Sequence, residues 1–491
     1  MSSTQVDATG ARATDSRQKT ALVIGAGQAG GPLAGALAKA GWDVTLVERE
    51  HVGGTCVNEG CTPTKTLIAS ARAAHVARSS GPLGVQAQPE VDFAGVMARV
   101  QRTVDSFRDG SAASVLAAGV RLIYGEASFT GPHEVRVALR GGGQQTLQAE
   151  HILINTGASP TWPDLEGLDT AQAITSSGAL KLQVLPQRLL VLGGGYISLE
   201  LAQAFARLGS RVTVVEHGDR LLPREDADVA AELRRVLEGE GIQVLTGHTA
   251  QKVRREGGQT VMTVQDTGGH TAELSADVLL VATGRSPNTQ GLNLEAAGVA
   301  TDDHGYVVAD EHLRTSVAHI HALGDVKGGP AFTHVSYDDY RIVRDALMDD
   351  KRRSTADRLV PYTLFTDPQL GRVGMNAQEA ERHTAPTRIY TLPMSRVARA
   401  IEIGETAGLM RAVVDDETDL LLGVCVLGPG GGELLGALQF AMMGGLSAST
   451  LRNATIAHPT LCESVNNLFM SVPRKVEGRR VEGRSAENVS E

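Results

Sequence analysis

The chain reads as an α/β protein with two Rossmann-like dinucleotide-binding domains followed by a C-terminal α+β domain. Three observations predict this. The segments Gly25-Ala26-Gly27-Gln28-Ala29-Gly30 and Gly193-Gly194-Gly195-Tyr196-Ile197-Ser198 each follow a short apolar run and open a stretch with helical spacing. Each of those stretches leads into a second apolar run that ends in a carboxylate, Glu48 in one case and Glu216 in the other. From about Pro361 the pattern shifts to apolar runs such as 408–414 and 421–427, which look like neighbouring antiparallel strands.

In the first unit a polar tail runs to about Thr20, residues 21–24 read as a buried strand, and a helix continues from the glycine-rich turn to Ala40. Residues 42–47 then form a second strand ending in Glu48. Gly25 permits the tight turn, Gly27 lets the backbone approach a pyrophosphate, and Gly30 lets the helix pack closely on the strand. The anion rests on the helix N-terminus. Glu48 lies where a carboxylate accepts hydrogen bonds from a ribose diol.

The second unit repeats the plan through residues 188–192, Gly193, Gly195 and residues 212–215. Two such units imply two dinucleotides. Ser198 stands in place of the third glycine, so helix and strand are expected to sit slightly further apart there. Glu216 favours NADH, because a carboxylate bonds a 2′-hydroxyl and repels a 2′-phosphate; Arg211 and Arg220 nearby keep NADPH open. Residues 152–157, ending in Thr156-Gly157, and 278–284, leading into Arg285, look like strands returning to a nucleotide sheet. Residues 320–325 end another strand at Gly324-Asp325, whose carboxylate can take a polyol hydroxyl.

Composition excludes several function classes. A formal net charge of -10 repels phosphate backbones, so neither nucleic acid nor an anionic membrane is an expected partner. No apolar run reaches bilayer length and the first twenty residues lack the apolar core of a signal peptide, so the expected location is cytoplasmic. The chain has only 4 cysteines, too few for an extracellular disulfide framework. Cys56 and Cys61 lie together just beyond the first fingerprint, flanked by Thr55 and Lys65, and a redox-active dithiol fits that placement. The alternatives are two inert thiols or part of an iron–sulfur set, but a plant-type cluster needs further cysteines close by. Cys425 lies in an apolar run and reads as core, and the Glu/Arg-rich stretches around Arg234 and Arg352 read as solvated faces.

With both fingerprints, the C-x4-C segment, Gly324-Asp325 and the late His458-Pro459-Thr460 in view, the chain resembles the flavin-dependent pyridine nucleotide-disulfide oxidoreductases over roughly residues 20 to 470. That family includes dihydrolipoamide dehydrogenase, glutathione reductase and mercuric reductase. The resemblance implies FAD on the first unit with Asp325, NADH (NADPH possible) on the second, and a homodimer formed through the last domain. Its implied boundaries are a tail over 1–19, an FAD-binding part over 20–159, an NAD(P)-binding domain over 160–285, a return to the central FAD domain over 286–358, an interface domain over 359–472 and a tail over 473–491.

The resemblance also implies roles. Hydride passes from nicotinamide to flavin, and electrons then pass to a Cys56–Cys61 disulfide on the other ring face. Cys61 is the thiolate beside the flavin and Cys56 the thiol that exchanges with substrate. Lys65 pairs with Glu200 and adjusts the flavin's electrostatics. Tyr196 covers the flavin until nicotinamide displaces it, with a packing aromatic as the alternative. His458 and Glu463 match the acid–base pair, which reaches the dithiol of the other subunit. Thr55, Thr156, Gly157, Gly284 and Arg285 are assigned with the fingerprint residues to cofactor binding. Cys462, beside that pair, is either a small buried hydrophobe or a residue that sees the substrate.

Residues 56–66 and 393–400 look most like mercuric reductases, which points to a disulfide or soft-metal acceptor, because a dithiolate binds such ions as well as it attacks disulfides. Three departures count against the metal reading. The tail has no vicinal cysteine pair, an N-terminal C-x-x-C domain is missing, and His458 stands where mercuric reductases carry tyrosine. His458 with Glu463 points instead to proton-coupled disulfide exchange, as in dihydrolipoamide dehydrogenase. No residues read as a resident metal site. The candidate acceptors are a low-molecular-weight disulfide, lipoamide, Hg(II) or Cu(II). The second reading is dihydrolipoamide dehydrogenase or the flavoprotein component of a multienzyme complex.

Overall fold

The computed structural model describes residues 18–349, 351, 353–356 and 358–478. The expected tail segments over 1–17 and 479–491 and the solvated face at Arg352 lie outside the described residues.

The first unit forms a seven-stranded sheet in the order Ile320–Ala322, His151–Ile154, Thr20–Ile24, Asp43–Glu48, Arg121–Gly131, Glu134–Leu139, Gln144–Gln148. The first five strands run parallel and the last two are added as an antiparallel meander. Successive residues of Thr20–Ile24 serve opposite faces, which is why the run is apolar without alternation: Ala21 and Val23 join one core and Leu22 and Ile24 another. Helix Gly30–Lys39 closes the first core with Leu33 and Leu37, both fully buried. The strand expected from Trp42 begins at Asp43.

The second unit is a four-stranded parallel sheet, Gln243–Thr246, Arg211–Glu216, Arg188–Leu192, Val278–Val281. Its return crossover carries a three-stranded antiparallel sheet, His248–Glu256, Gln259–Asp266, Thr271–Ala276. Ser198, in the third-glycine position, is fully buried, and its hydroxyl donates to the Ala282 carbonyl at 3.3 Å. A buried polar atom at that packing point therefore has a partner. Ala158–Pro160 pairs with Arg285–Pro287 and forms the two-stranded connection between the units.

The last domain is a six-stranded antiparallel sheet, Tyr362–Leu364, Gln369–Gly374, Leu421–Gly428, Leu409–Asp415, Thr387–Pro393, Arg474–Val476, backed by helices Gly431–Met443 and Ser464–Met470. Here the sequence reading needs correction: residues 474–476, placed in a tail from 473, form the edge strand against Thr387–Pro393. An edge strand of Arg, Lys and Val has no apolar run to mark it, since charged side chains are what an exposed edge tolerates.

His321, on Ile320–Ala322, is buried in the first sheet and its Nδ1 has no hydrogen-bond partner. Burial, with the positive fields of His151 and Arg314, pushes its pKa from 6.5 down to about 4. The unfolded chain therefore takes up a proton here that the folded chain refuses. The contribution to stability is complete above pH 6.5 and is lost as pH falls toward 4. In denaturant melts at about pH 7.5 and about pH 4.5, His321→Leu should reduce the acid-induced loss of stability by about 2 kcal/mol. An unchanged loss would show that His321 is not a source of the acid sensitivity.

Candidate active site

Each glycine-rich turn is locked to its own sheet by the carboxylate that ends the second strand. Glu48 Oε2 accepts from the Ala26 N–H at 2.8 Å and Oε1 from the Glu50 N–H at 2.7 Å. Glu216 repeats this with the Gly194 N–H at 2.5 Å and the Gly218 N–H at 2.7 Å. His217 Nδ1 lies 2.9 Å from Glu216 Oε1. At Gly30 a Cβ would stand 2.1 Å from the Gly25 carbonyl oxygen, so only glycine lets the helix start there. At Gly195 a Cβ would meet nothing within 4 Å, so that glycine keeps open the approach to the helix Tyr196–Leu208.

Both fingerprint helices begin with no acidic residue in the first turn and no side-chain cap. Their N-terminal N–H groups are suited to a pyrophosphate, as FAD and NAD(P) require. Asp325, in the turn Gly324–Lys327, is mostly buried; burial raises its carboxyl pKa, while Arg285 and Lys327 oppose the rise. Thr156 and Asn288 are joined by two hydrogen bonds, at 2.8 and 2.9 Å, and Gly157 and Gly284 take positive φ around the two-stranded connection that carries Arg285.

The cysteines occupy two short helical starts. Cys56 sits in helix Gly54–Asn58, Cys61 is the first residue of helix Cys61–Ser79, and Thr55 precedes Cys56 on the exposed side. Both are free thiols, and each shifts the other's titration, in opposite directions. The Cys56 thiol is pushed far up, first by its interaction with Cys61 and then by burial. Cys61 is drawn down to about 6, first by the Cys56 hydrogen bond and then, against burial, by Thr333 and the Lys65 ammonium. Thr333 Oγ1 lies 3.4 Å from Cys61 Sγ.

Lys65 Nζ donates to Glu200 Oε2 at 2.7 Å and lies 4.8 Å from the centre of the Phe365 ring. The other oxygen of the buried Glu200 accepts from the Phe365 N–H at 2.8 Å. Helix Cys61–Ser79 of the first unit, helix Tyr196–Leu208 of the second and the last domain therefore meet at this ion pair. His458 Nδ1 lies 2.8 Å from Glu463 Oε2 and 3.0 Å from Oε1, on an exposed ring. Among the described residues, no hydrogen bond joins His458 to Cys56 or Cys61. Cys425 is buried, and Cys462 packs half-buried against the core of the last domain.

Sequence reasoning missed several residues of this region. Asn155 Oδ1 accepts from the Gly30 N–H and Nδ2 donates to the Leu323 carbonyl, both at 2.8 Å, tying the fingerprint helix to two strands. Asp339, fully buried, accepts from the Gly324 N–H at 2.9 Å and pairs with Lys327 and Arg358. An asparagine ending the apolar run 152–154 was the one available signal; Thr333 and Asp339 carried none.

Passing electrons from a nicotinamide to a thiol pair needs two dinucleotide folds and a polarised dithiol in one chain, and both are present. The chain belongs to the pyridine nucleotide-disulphide oxidoreductases: that family's profile matches residues 19–339, and the profile of its dimerisation domain matches residues 360–469. The family is FAD-dependent and draws its electrons from NAD(P)H. The chain is 38% identical over 457 residues to the probable pyridine nucleotide-disulfide oxidoreductase RclA of Escherichia coli, covering 92% of this chain and 99% of that one. It is 36% identical to the dihydrolipoyl dehydrogenase of Haloferax volcanii and 36% identical to the mercuric reductase of Streptomyces lividans, in each case over 90% of this chain and 94% of the relative. The solved Cu(II) complex of the HOCl-induced flavoprotein disulfide reductase RclA from Escherichia coli superposes with a TM-score of 0.85 at 37% identity, covering 92% of this chain and 99% of the other. No helix among the described residues is long and apolar enough to cross a membrane.

Proposed function

We propose that this protein is an NAD(P)H-driven reductase whose Cys56–Cys61 pair delivers electrons to a disulfide or a soft-metal ion. The observation that carries the reading is the setting of the pair: Cys61 Sγ lies 3.4 Å from Thr333 Oγ1, Lys65 is held by Glu200 at 2.7 Å, and Cys56, Thr333 and the Lys65 charge together draw the Cys61 thiol down. Bound FAD supplies the two-electron link between nicotinamide and this pair. Gly25, Gly27, Gly30, Glu48, Thr55, Thr156, Gly157, Gly324 and Asp325 hold FAD, and Gly193, Gly195, Tyr196 and Glu216 hold the nicotinamide cofactor, with Gly284 and Arg285 between them. Glu216, kept in place by two backbone N–H groups, favours NADH. Lys65 with Glu200 fixes a positive charge beside Cys61.

In the outward half-reaction with a disulfide, the histidine of a second copy takes the Cys56 proton, and Cys56 Sγ attacks the acceptor's S–S bond. One acceptor sulfur leaves and receives that proton. Cys61 Sγ then closes the Cys56–Cys61 bond, and the second acceptor sulfur leaves with the remaining electron pair. Glu463 holds the histidine in one tautomer. With Cu(II), two ions each accept one electron as the Cys56–Cys61 bond forms; the Cys56 proton passes to the histidine and on to solvent, and the reduced ions take none. The Cu(II) complex of RclA favours copper among the metals; the His458–Glu463 pair favours a disulfide.

Anaerobic reduction with NADH or NADPH, followed by mixing with lipoamide, glutathione disulfide, Hg(II) or Cu(II), separates these acceptors. Reoxidation at least about tenfold faster by a metal ion than by either disulfide assigns a metal acceptor, and the reverse assigns a disulfide. Preference for lipoamide together with a co-purifying acyltransferase core would make the protein a component of a larger complex. Failure of all four to reoxidise the protein would overturn the proposal.

A further inference from the structure

Tyr196 is fastened to the dimerisation domain through a buried carboxylate. Its hydroxyl donates to Glu225 Oε1 at 3.1 Å, and Glu225 is fully buried. The Tyr362 hydroxyl donates to the same oxygen. Arg372 Nε donates to the Tyr362 hydroxyl and lies 3.3 Å from Glu225 Oε2, which accepts no hydrogen bond itself. Tyr362 tilts against Tyr196 with ring centres 5.4 Å apart, and its other neighbour, Phe332, stacks nearly parallel at 5.5 Å. Tyr196 and Glu225 come from the second dinucleotide unit. Tyr362 and Arg372 stand on Tyr362–Leu364 and Gln369–Gly374, adjacent strands of the last sheet.

A carboxylate in a dry site cannot be left without donors. Glu225 has three polar neighbours, two of them rooted in a rigid sheet, so Tyr196 is the one that can leave without stranding the charge. Burial raises the Glu225 pKa, opposed by Arg372, and burial with the Glu225 charge pushes the Tyr196 phenol up to about 12, so the phenol remains a donor.

We propose that Glu225, supported by Tyr362 and Arg372, is a positioning residue that latches Tyr196, and that the strength of the Tyr196–Glu225 bond sets how readily a nicotinamide ring enters. This rests on the reading of Tyr196 as the side chain that nicotinamide displaces. Two hydroxyls share one carboxylate oxygen, so removing one strengthens the bond of the other. Loss of the Tyr362 hydroxyl therefore tightens the latch, and loss of the Tyr196 hydroxyl releases it.

The test is a double-mutant cycle on the FAD-loaded protein, reading KM for NADH and the rate of anaerobic flavin reduction. Tyr362→Phe should raise KM about fivefold and Tyr196→Phe should lower it by a similar factor. In the Tyr196→Phe background, Tyr362→Phe should have no further effect. Reoxidation by the acceptor should be unchanged in Tyr362→Phe. Equal effects of Tyr362→Phe in both backgrounds would overturn the latch, because plain packing would then explain it. A shift with Tyr196→Phe but none with Tyr362→Phe would overturn the latch and leave the gating tyrosine standing. No shift with Tyr196→Phe would remove the gating role and the latch together. Should Tyr362→Phe fail to hold FAD, Arg372→Lys tests the same support, with the same rise in KM expected and an unchanged KM overturning the proposal.

Discussion

Replacing Cys61 with serine should abolish the long-wavelength absorbance that appears when the protein is reduced anaerobically with NADH, and should cut acceptor turnover by about three orders of magnitude or more. Cys56→Ser should lose turnover to the same degree yet keep that absorbance. The difference follows from where the proton sits. Cys61 is the thiolate, and its largest stabilisation is the hydrogen bond from Cys56, which a serine hydroxyl can still donate. Cys56→Ala removes that donor and leaves only Thr333 and Lys65 to oppose burial. The absorbance of the wild-type protein should therefore fade below about pH 6, and in Cys56→Ala its titration should move up toward the ordinary thiol value of 9.0. Identical spectra for the two serine variants would contradict the assigned roles.

The second large effect concerns His458. His458→Ala should lower turnover with a disulfide acceptor by about 10²- to 10⁴-fold while leaving reduction by NADH untouched, because the histidine acts only when a proton moves to or from sulfur. Glu463→Gln, which keeps a hydrogen-bond partner for Nδ1 and removes its charge, should fall between the two. Turnover with Cu(II) should fall less, since the Cys56 proton must still leave but no departing sulfur has to be protonated. The same variant also tests the oligomer. If each site takes its histidine from the other copy, a mixed dimer of Cys56→Ser and His458→Ala subunits has one intact site and should recover about half of wild-type activity. Exposed Phe440, Met443, Met470 and Val472 on the last domain are apolar surface for such an association. No recovery in a verified mixed dimer would place both groups in one subunit, and full disulfide turnover by His458→Ala would remove its acid–base role.

The parts of the site that could be read from the sequence are those built by neighbours in the chain. Gly25, Gly27 and Gly30 form one turn, Cys56 and Cys61 bracket one bend between two helical starts, and His458 meets Glu463 across five residues. Short loops close at little entropic cost, so spacing by itself states the geometry. Lys65 and Glu200, 135 residues apart, were paired only through resemblance. Where contacts cross sheets, spacing is silent: Thr333 reaches Cys61 from 272 residues away, Asn155 reaches Gly30 across 125, and Tyr362 reaches Glu225 across 137. The edge strand Arg474–Val476 was missed for a related reason, as its identity lies in backbone pairing with Thr387–Pro393 and not in its own side chains.

From sequence alone, then, this protein was already an α/β chain with two dinucleotide units, a local thiol pair and a separate interface domain, because apolar periodicity and glycine turns are short-range properties of the chain. Only the tertiary structure decided which donors and charges surround Cys61 and what holds Tyr196. Both depend on charges and donors brought together from distant segments, and electrostatic energies in a dry interior are set by ångströms through space, whatever the distance along the chain.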